Sequence, residues 1–140
     1  MGHEASHPKK SIMFGTFQQS HVRIEVNADG DRLKACLTDP VLLQQWLMFQ
    51  RFPAKMPDRL SVGNQFLSLA GWTIPVNHEV NVVESDRILF TLSQGIDGFH
   101  EWMWGDGWVQ SRIEGISGLP INLGQSLSLL GLKQFLNKGV

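Results

Sequence analysis

The sequence lacks the features that would direct it to a nucleic acid, into a membrane or to an oxidising compartment. Its 12 Lys and Arg residues nearly balance 13 Asp and Glu residues, and the net charge of −1 gives no basic field to attract nucleic acid. No apolar run approaches the roughly 18 residues that a membrane-spanning helix needs. The single cysteine, Cys36, excludes an internal disulfide. We therefore predict a cytoplasmic protein with no nucleic-acid partner and no integral membrane association.

Sequence motifs for cofactors and metals are also missing. No P-loop, GxGxxG or GxSxG string is present. The string NADGDR lacks the later glutamate of a calcium-binding loop. His78 and His100 have no cysteines nearby and no metal-site spacing, while His3 and His7 lie in the N-terminal segment. We predict neither a cofactor nor a bound metal.

The length and composition are typical of one globular domain. With 42% hydrophobic and 18% charged residues, a chain of 140 residues can bury a continuous core, about 70% of its unfolded surface. The N-terminal segment lacks the apolar stretch of a secretory signal. We predict a flexible tail over residues 1–17 and a single domain over residues 18–138.

The first half of the chain predicts a strand followed by two short helices. HVRIEV alternates apolar and polar residues from His21, as a half-buried strand does. Asp39-Pro40 then separates two helical patterns, because aspartate is a strong N-cap and proline is favoured at the first position of a helix. The same proline disfavours continuing the preceding helix. The second helix is expected to bury Leu42, Leu43 and Trp46.

The second half predicts five more strands and a long helix. After a proline-containing loop, the period-two pattern returns in NQFLSLA, WTIPVNHEVNVV, RILFTLS, GFHEWMWG and WVQSRIEGI. The string INLGQSLSLLGLKQFLNK is helical. The predicted order is β-α-α-β-β-β-β-β-α, which is an α+β fold.

The string GFHEWMWGDGWVQSRIEG predicts a hairpin with a definite register. Asp-Gly at 106–107 is a preferred pair for a two-residue type I′ turn, which sets Trp104 opposite Val109 and Trp102 opposite Ser111. A three-residue loop would mix charged and apolar residues on one face. With the two-residue loop, the inward face carries His100, Trp102, Trp104, Val109, Ser111 and Ile113.

The preceding hairpin favours a loop of odd length around residues 84–86. That loop places the apolar residues of both strands on one face. The face includes one imidazole, and its members are Ile74, Val76, His78, Val80, Val82, Ile88, Phe90 and Leu92.

The C-terminal helix carries small residues on the side that should meet the sheet. Gly124, Ser128, Gly131 and Phe135 fall together on a helical wheel. Each glycine inside a helix costs about 1 kcal/mol relative to alanine, and each removes volume that a close-packed core must fill. The sequence leaves three ways to fill this volume: the indoles of the two inward tryptophans, close packing of backbone, or a ligand.

The order of elements and several strings resemble the START-like (SRPBCC) superfamily, in its polyketide cyclase-like and lipid-transport-like branch. The strings are HVRIEV, the helix pair joined through TDP, the tryptophan of LLQQW, VGNQF, ESDRILFTL and LGLKQFLNKG. The resemblance implies the helix-grip fold: an antiparallel sheet of about six strands wrapped around the long C-terminal helix, with an apolar cavity between them. Members bind lipids, sterols or polyketides, and some are cyclases or chaperone activators. The resemblance transfers no catalytic residue.

A cavity with few polar groups is the usual form of a small-molecule site. We therefore predict that the protein binds or transports a hydrophobic, ring-containing small molecule or lipid, since aromatic side chains offer stacking area. The alternative for each histidine is a bond to a neighbouring backbone group. The predicted ligand-binding residues are His78, Phe90, His100, Trp102, Trp104, Ser111, Gly131 and Phe135.

Two other functions stay open from the sequence. One is a cyclase or dehydratase that uses pocket histidines on a polyketide-like substrate, although the pair His100 and Ser111 has no third residue to orient it. The other is a chaperone-activator-like interaction module. Its surface would be the loop MFQRFPAKMPDRL (48–60), with Arg51 and Lys55, and the same loop could instead cover the mouth of the cavity.

Overall fold

The computed structural model describes residues 15–47 and 49–138, which contain seven strands and three helices. The elements are β1 (Thr16–Glu25), α1 (Gly30–Thr38), α2 (Pro40–Trp46), β2 (Gln50–Arg51), β3 (Gln65–Ala70), β4 (Ile74–Val83), β5 (Arg87–Gln94), β6 (Ile96–Gly105), β7 (Trp108–Ser117) and α3 (Ile121–Lys138). The predicted α+β order is confirmed. The one addition is β2, which is only two residues long and carries too short a pattern to be recognised from the sequence.

The strands form one curved antiparallel sheet around α3. Their order is β1-β7-β6-β5-β4-β3-β2, and α3 packs against β1, β7 and α2. This is the helix-grip architecture that the sequence predicted. β1 starts at Thr16, five residues before the predicted start at His21. Residues 1–14 of the predicted tail lie outside the described residues. No helix in the part of the chain that is described is both long enough and apolar enough to cross a membrane.

Asp39 and Pro40 separate α1 from α2 as predicted. The Asp39 carboxylate accepts a hydrogen bond from the backbone N–H of Val41 at 2.9 Å, and Pro40 is the first residue of α2. Because Pro40 has no N–H, it cannot donate to the carbonyl group of Cys36, four residues earlier. The indole N–H of Trp46 donates to that carbonyl group instead, at 2.9 Å.

The β6–β7 hairpin has the predicted register. Trp104 pairs with Val109 and Trp102 pairs with Ser111. The predicted type I′ turn is wrong, because that turn needs positive φ at both central residues, and only Gly107 has it (φ 84°). One positive φ at the second position is the pattern of a type II turn. A contact with α1 holds this turn, since the backbone N–H of Gly30 donates to the Asp106 carboxylate at 2.7 Å.

Away from its tip, the β4–β5 hairpin has the predicted register. In that part Val80 pairs with Phe90. A β-bulge lies between Val80 and Val82 and adds one residue to β4. The extra residue reverses which side chains point inward beyond it. Val83 therefore packs against the core, and the prediction that Val82 does so is wrong. The predicted odd-length loop is wrong as well, because the backbone N–H of Glu84 donates to the carbonyl group of Arg87 and leaves two residues between them.

Candidate functional site

A cavity of about 320 Å³ lies between α3 and the concave face of the sheet. Small-molecule sites have volumes of about 300–1,000 Å³, so this cavity suits a compact guest. The sheet contributes Ser68, Val76, His78, Leu92, His100 and Ile113 to the wall. The helix contributes Ile121, Leu123, Gly124, Gln125, Leu127 and Ser128. Among the described residues that line the cavity, none is Asp, Glu, Lys or Arg.

Gly124 and Ser128 open the helix towards this cavity, as the sequence predicted. A Cβ atom built on Gly124 would meet no described atom within 4 Å, and both residues line the space. The helix therefore leaves volume at this point that no neighbouring side chain takes up.

Gly131 has a different role from the predicted one. A Cβ atom built on Gly131 would lie 2.6 Å from the carbonyl oxygen of Trp46. The glycine therefore permits close packing of α3 on the end of α2, and the residue lies outside the cavity lining. Phe135 also lies outside it, with the Arg32 guanidinium 5.8 Å from its ring centroid. Their predicted place on the cavity wall is wrong, because the helix turns this part of its surface towards α1 and α2.

The two inward tryptophans do not fill the main cavity. Trp104 is buried in the core outside its lining. Trp102 packs edge-on against Trp46, with ring centroids 5.7 Å apart. It lines a smaller adjoining space of about 30 Å³, which is the volume of about one liquid water. Phe90 lines this smaller space as well, and His78 and His100 line both. The cavity therefore persists with every indole in place.

His78 and Ser68, at the cavity wall, each have a buried polar atom with no hydrogen-bond partner among the described residues, while a hydrogen bond with the backbone of Val76 also acts on the His78 ring. The His78 ring stacks on Phe66, with centroids 4.5 Å apart and an interplanar angle of 6°. His78 Nδ1 and Ser68 Oγ have no hydrogen-bond partner in the described part of the chain. Burial lowers the pKa of His78 to about 4, so the ring is neutral at neutral pH.

His100 belongs to a hydrogen-bonded chain that runs from the cavity to α3. His100 Nε2 lies 2.7 Å from Ser111 Oγ, and Gln125 Nε2 lies 3.0 Å from the same oxygen. The amide of Gln125 also bonds to Ser20, whose hydroxyl accepts from Asn122 Nδ2 at 2.7 Å. Burial, with a smaller contribution from His78, lowers the pKa of His100 to about 3.

Known proteins resemble the chain in structure. No protein-family model matches the chain, and no curated protein matches it. Among solved structures, DynU16, a protein of the dynemicin biosynthetic locus, has a TM-score of 0.67 and 22% identity over 86% of this chain. This chain spans only 48% of DynU16. Ginseng major latex-like protein 151 from Panax ginseng has a TM-score of 0.63 and 9% identity, covering 87% of this chain and 99% of that one. A Chromobacterium violaceum protein has a TM-score of 0.67 and 20% identity, covering 84% and 96%.

The chain shares its helix-grip fold with these proteins. The exposed rim of the cavity is apolar in this protein. Phe49, Ile74 and Leu123 are 46%, 39% and 56% exposed and line the mouth. The rest of the loop after α2 is anchored in the core of the helix-grip domain, through Met56 and Leu60.

Gln125 and Ser68 are the site residues that the sequence reasoning missed. Gln125 interrupts an otherwise apolar buried stripe of the helix, which consists of Ile121, Gln125, Leu129, Leu132 and Leu136. A polar residue at a core position of a helix is a recognisable signal for a buried hydrogen-bond partner. Ser68 stands likewise in the inward register of β3.

Metal ligands do not cluster in the described part of the helix-grip domain. No group of three or more His, Cys, Asp or Glu side chains there could hold a metal ion. His3 and His7 lie outside the described residues.

Proposed function

We propose that the protein binds a compact, hydrophobic, ring-bearing small molecule in the cavity between α3 and the sheet. The observation that carries this proposal is the open space beside Gly124 and Ser128, which persists although the tryptophans are packed. The cavity is open to solvent on one side, with Gly124 exposed at its edge, so an apolar guest would replace water there and gain contacts with the apolar wall. The apolar wall favours a hydrophobic guest.

The rings of His78 and His100 on the cavity wall, and that of Phe49 at its mouth, support a flat guest. Phe66 stacks on His78, and Phe90 meets both rings edge-on at 5.8 Å and 5.5 Å between centroids. These two phenylalanines line only the smaller adjoining space and hold the His78 ring in place. The dynemicin locus named for DynU16 is in keeping with small-molecule chemistry on this fold, in a protein about twice as long as this chain.

Binding has more support than cyclase or dehydratase chemistry. A general base works best when its pKa lies near the working pH, and burial lowers the pKa of His100 to about 3. The structure does supply a third group, Gln125, behind the His100–Ser111 pair. This group orients the imidazole but does not make it more basic.

The interaction-module alternative has less support than ligand binding. Met56 and Leu60 of the loop after α2 are buried in the core, and the exposed ring of Phe49 at the start of the loop lines the mouth of the cavity. The apolar surface of this loop is therefore accounted for by the core and the cavity, while Arg51 and Lys55 are exposed. Cytoplasmic location stays a prediction from the single cysteine.

The dye prodan, an uncharged naphthyl ketone, tests the proposed function. Prodan should bind saturably with a blue-shifted emission, and Gly124→Leu should weaken its affinity at least tenfold by filling the open space beside the helix. Two matched controls separate the added volume from the change in helix propensity. Gly124→Ala removes the glycine but adds little volume, and Ser126→Leu adds a leucine at an exposed position of the same helix. Equal prodan affinity in Gly124→Leu and Ser126→Leu would place the dye elsewhere and contradict the proposal.

A further inference from the structure

Two backbone carbonyl groups fix the orientation of the Gln125 side-chain amide. Gln125 Nε2 lies 3.2 Å from the carbonyl oxygen of Ser20 and 2.9 Å from that of Ser111. Carbonyl oxygens only accept hydrogen bonds, so the nitrogen of the amide must face them. The amide oxygen is then free to accept the hydrogen bond that the Ser20 hydroxyl donates.

This orientation fixes the direction of the Ser111 hydroxyl proton. The two N–H groups of Gln125 can only donate and have three acceptors, so one of them is shared between the carbonyl oxygen and Oγ of Ser111. Ser111 Oγ therefore accepts from Gln125, at 3.0 Å. Within residues 15–47 and 49–138, the remaining hydrogen-bond partner of Ser111 Oγ is His100 Nε2, at 2.7 Å. The Ser111 hydroxyl therefore donates to His100 Nε2, because a buried hydroxyl proton with no acceptor is costly.

That donation fixes the tautomer of His100. A ring nitrogen that accepts a hydrogen bond carries no proton, so the neutral imidazole carries its proton on Nδ1. The lowered pKa of His100 keeps the ring neutral at neutral pH. His100 lines the cavity, and its Nδ1 has no hydrogen-bond partner among the described residues.

We propose that the Nδ1–H group of His100 is a fixed hydrogen-bond donor that selects uncharged hydrophobic guests with a carbonyl or similar acceptor group. This inference rests on the proposed function and adds the polarity and charge of the guest. Gln125 and Ser111 act as positioning residues, since they set the tautomer through hydrogen bonds behind the ring. His100 contacts the guest.

The selection against ions follows from the wall of the cavity. No Asp, Glu, Lys or Arg of the described chain lines it, so a charged guest would lose its hydration without gaining a counter-charge. His78, the other titratable group on the cavity wall, lies on the same face of the sheet as His100, one strand beyond β5, and it is neutral because burial lowers its pKa to about 4. An anion would therefore meet two neutral imidazoles.

Two buried polar atoms without hydrogen-bond partners among the described residues, on the adjacent strands β3 and β4, independently point to a polar group on the guest. Ser68 pairs with Val76 and Phe66 pairs with His78, so Ser68 and His78 are diagonal neighbours on one face of the sheet. Ser68 Oγ and His78 Nδ1 both lack partners in the described structure, and both residues line the cavity. Buried polar atoms are usually satisfied. A second polar group on the guest would satisfy them.

Competition against prodan with three molecules of one shape tests the selection. Fluorene has no acceptor, fluorenone has a carbonyl group, and the fluorenecarboxylate anion carries a charge. The ratio of fluorenone affinity to fluorene affinity should be about three- to tenfold higher in the parent than in His100→Phe, as expected for one net hydrogen bond. His21→Phe, on an exposed position of β1, should keep the parent ratio. The anion should bind at least tenfold more weakly than fluorenone.

The tautomer itself is measurable without a ligand. Long-range ¹H–¹⁵N correlation spectra of the parent should show His100 with a protonated Nδ1 and a bare Nε2. Ser111→Ala should move the population towards the other tautomer, because the donor to Nε2 is gone. This readout does not depend on whether His100→Phe folds.

The outcomes separate this inference from the proposed function. A protonated Nε2 in the parent, an affinity ratio unchanged in His100→Phe, or preferred binding of the anion would each overturn the inference. If the parent still binds prodan in these cases and Gly124→Leu still weakens that binding, the proposed function stands. Absence of prodan binding to the parent would overturn both.

Discussion

The backbone of α3 at Gly131 lies so close to the carbonyl oxygen of Trp46 that a Cβ atom on residue 131 would approach that oxygen to 2.6 Å. The contact joins the long helix to the end of α2. Gly124, two turns earlier on the same helix, has no described atom within 4 Å of the place where its Cβ would lie. The two glycines therefore have opposite functions: one permits close packing and the other leaves a space.

Alanine at the two positions should change stability in opposite directions. Gly131→Ala should lower the free energy of unfolding by about 2 kcal/mol, because overpacking against a backbone atom outweighs the gain in helix propensity. Gly124→Ala should raise it by about 1 kcal/mol, since only the propensity changes. Urea unfolding of both variants is the measurement. A gain in stability from Gly131→Ala as well would show that the contact with Trp46 is looser than the structure has it.

The two glycines also show where sequence reasoning succeeds and where it stops. Periodicity places both on one side of the helix, and it cannot tell which one meets backbone and which one meets empty space. That difference depends on where α2 ends in three dimensions, which is a tertiary property. The same limit explains Gln125: its buried position was readable from the stripe, but its partners Ser20 and Ser111 lie on other strands.

Strand registers were more predictable, because a one-residue slip exchanges the two faces of a strand. The apolar face of β6 and β7 therefore determined the pairing of Trp102 with Ser111. The bulge after Val80 in β4 was not predictable in this way, since both Val82 and Val83 are apolar and either could point inward. The turn type at Asp106 was also missed, because a contact with α1 holds that turn.

Trp46→Phe should destabilise the fold although the aromatic packing is nearly conserved. The indole N–H supplies the hydrogen bond to the Cys36 carbonyl group that Pro40 cannot supply. Its loss leaves a buried acceptor unsatisfied, which costs about 1–3 kcal/mol. Thermal or urea unfolding measures the change. Phe17→Leu is the control, because Phe17 is 61% exposed, and it should shift stability by less than about 0.5 kcal/mol. Equal effects of the two changes would contradict the capping role of Trp46.

Ser68→Ala should stabilise the free protein and weaken its complex with a polar guest. The Ser68 hydroxyl is buried without a partner in the described structure, and removing it should raise the free energy of unfolding by roughly 1 kcal/mol. Differential scanning calorimetry with and without fluorenone checks both parts. Ser126→Ala, exposed on α3, should leave both values near those of the parent. A loss of stability in Ser68→Ala would mean that the hydroxyl has a partner in solution.

Acid should destabilise the protein through its two cavity histidines. Burial lowers the pKa of His78 to about 4 and that of His100 to about 3, whereas an unfolded histidine has a pKa of about 6.5. Between these values the unfolded chain binds more protons than the folded one. The contribution of the two neutral histidines to the free energy of unfolding is therefore fully present above about pH 6.5, and it is lost as the pH drops towards 4.

The His78→Phe variant isolates the contribution of one ring. Phenylalanine keeps an aromatic ring against Phe66 and Phe90 and removes the titrating group. No Asp, Glu, Lys or Arg in the described residues lines the cavity, so the other titratable group facing His78 is His100. From pH 7 to 4.5, the parent should lose roughly 2–3 kcal/mol more than His78→Phe in its free energy of unfolding. His21→Phe, an exposed position on β1, should follow the parent. Parallel curves for His78→Phe and the parent would show that His78 is protonated as readily in the folded protein as in the unfolded chain, and hence that water reaches its ring.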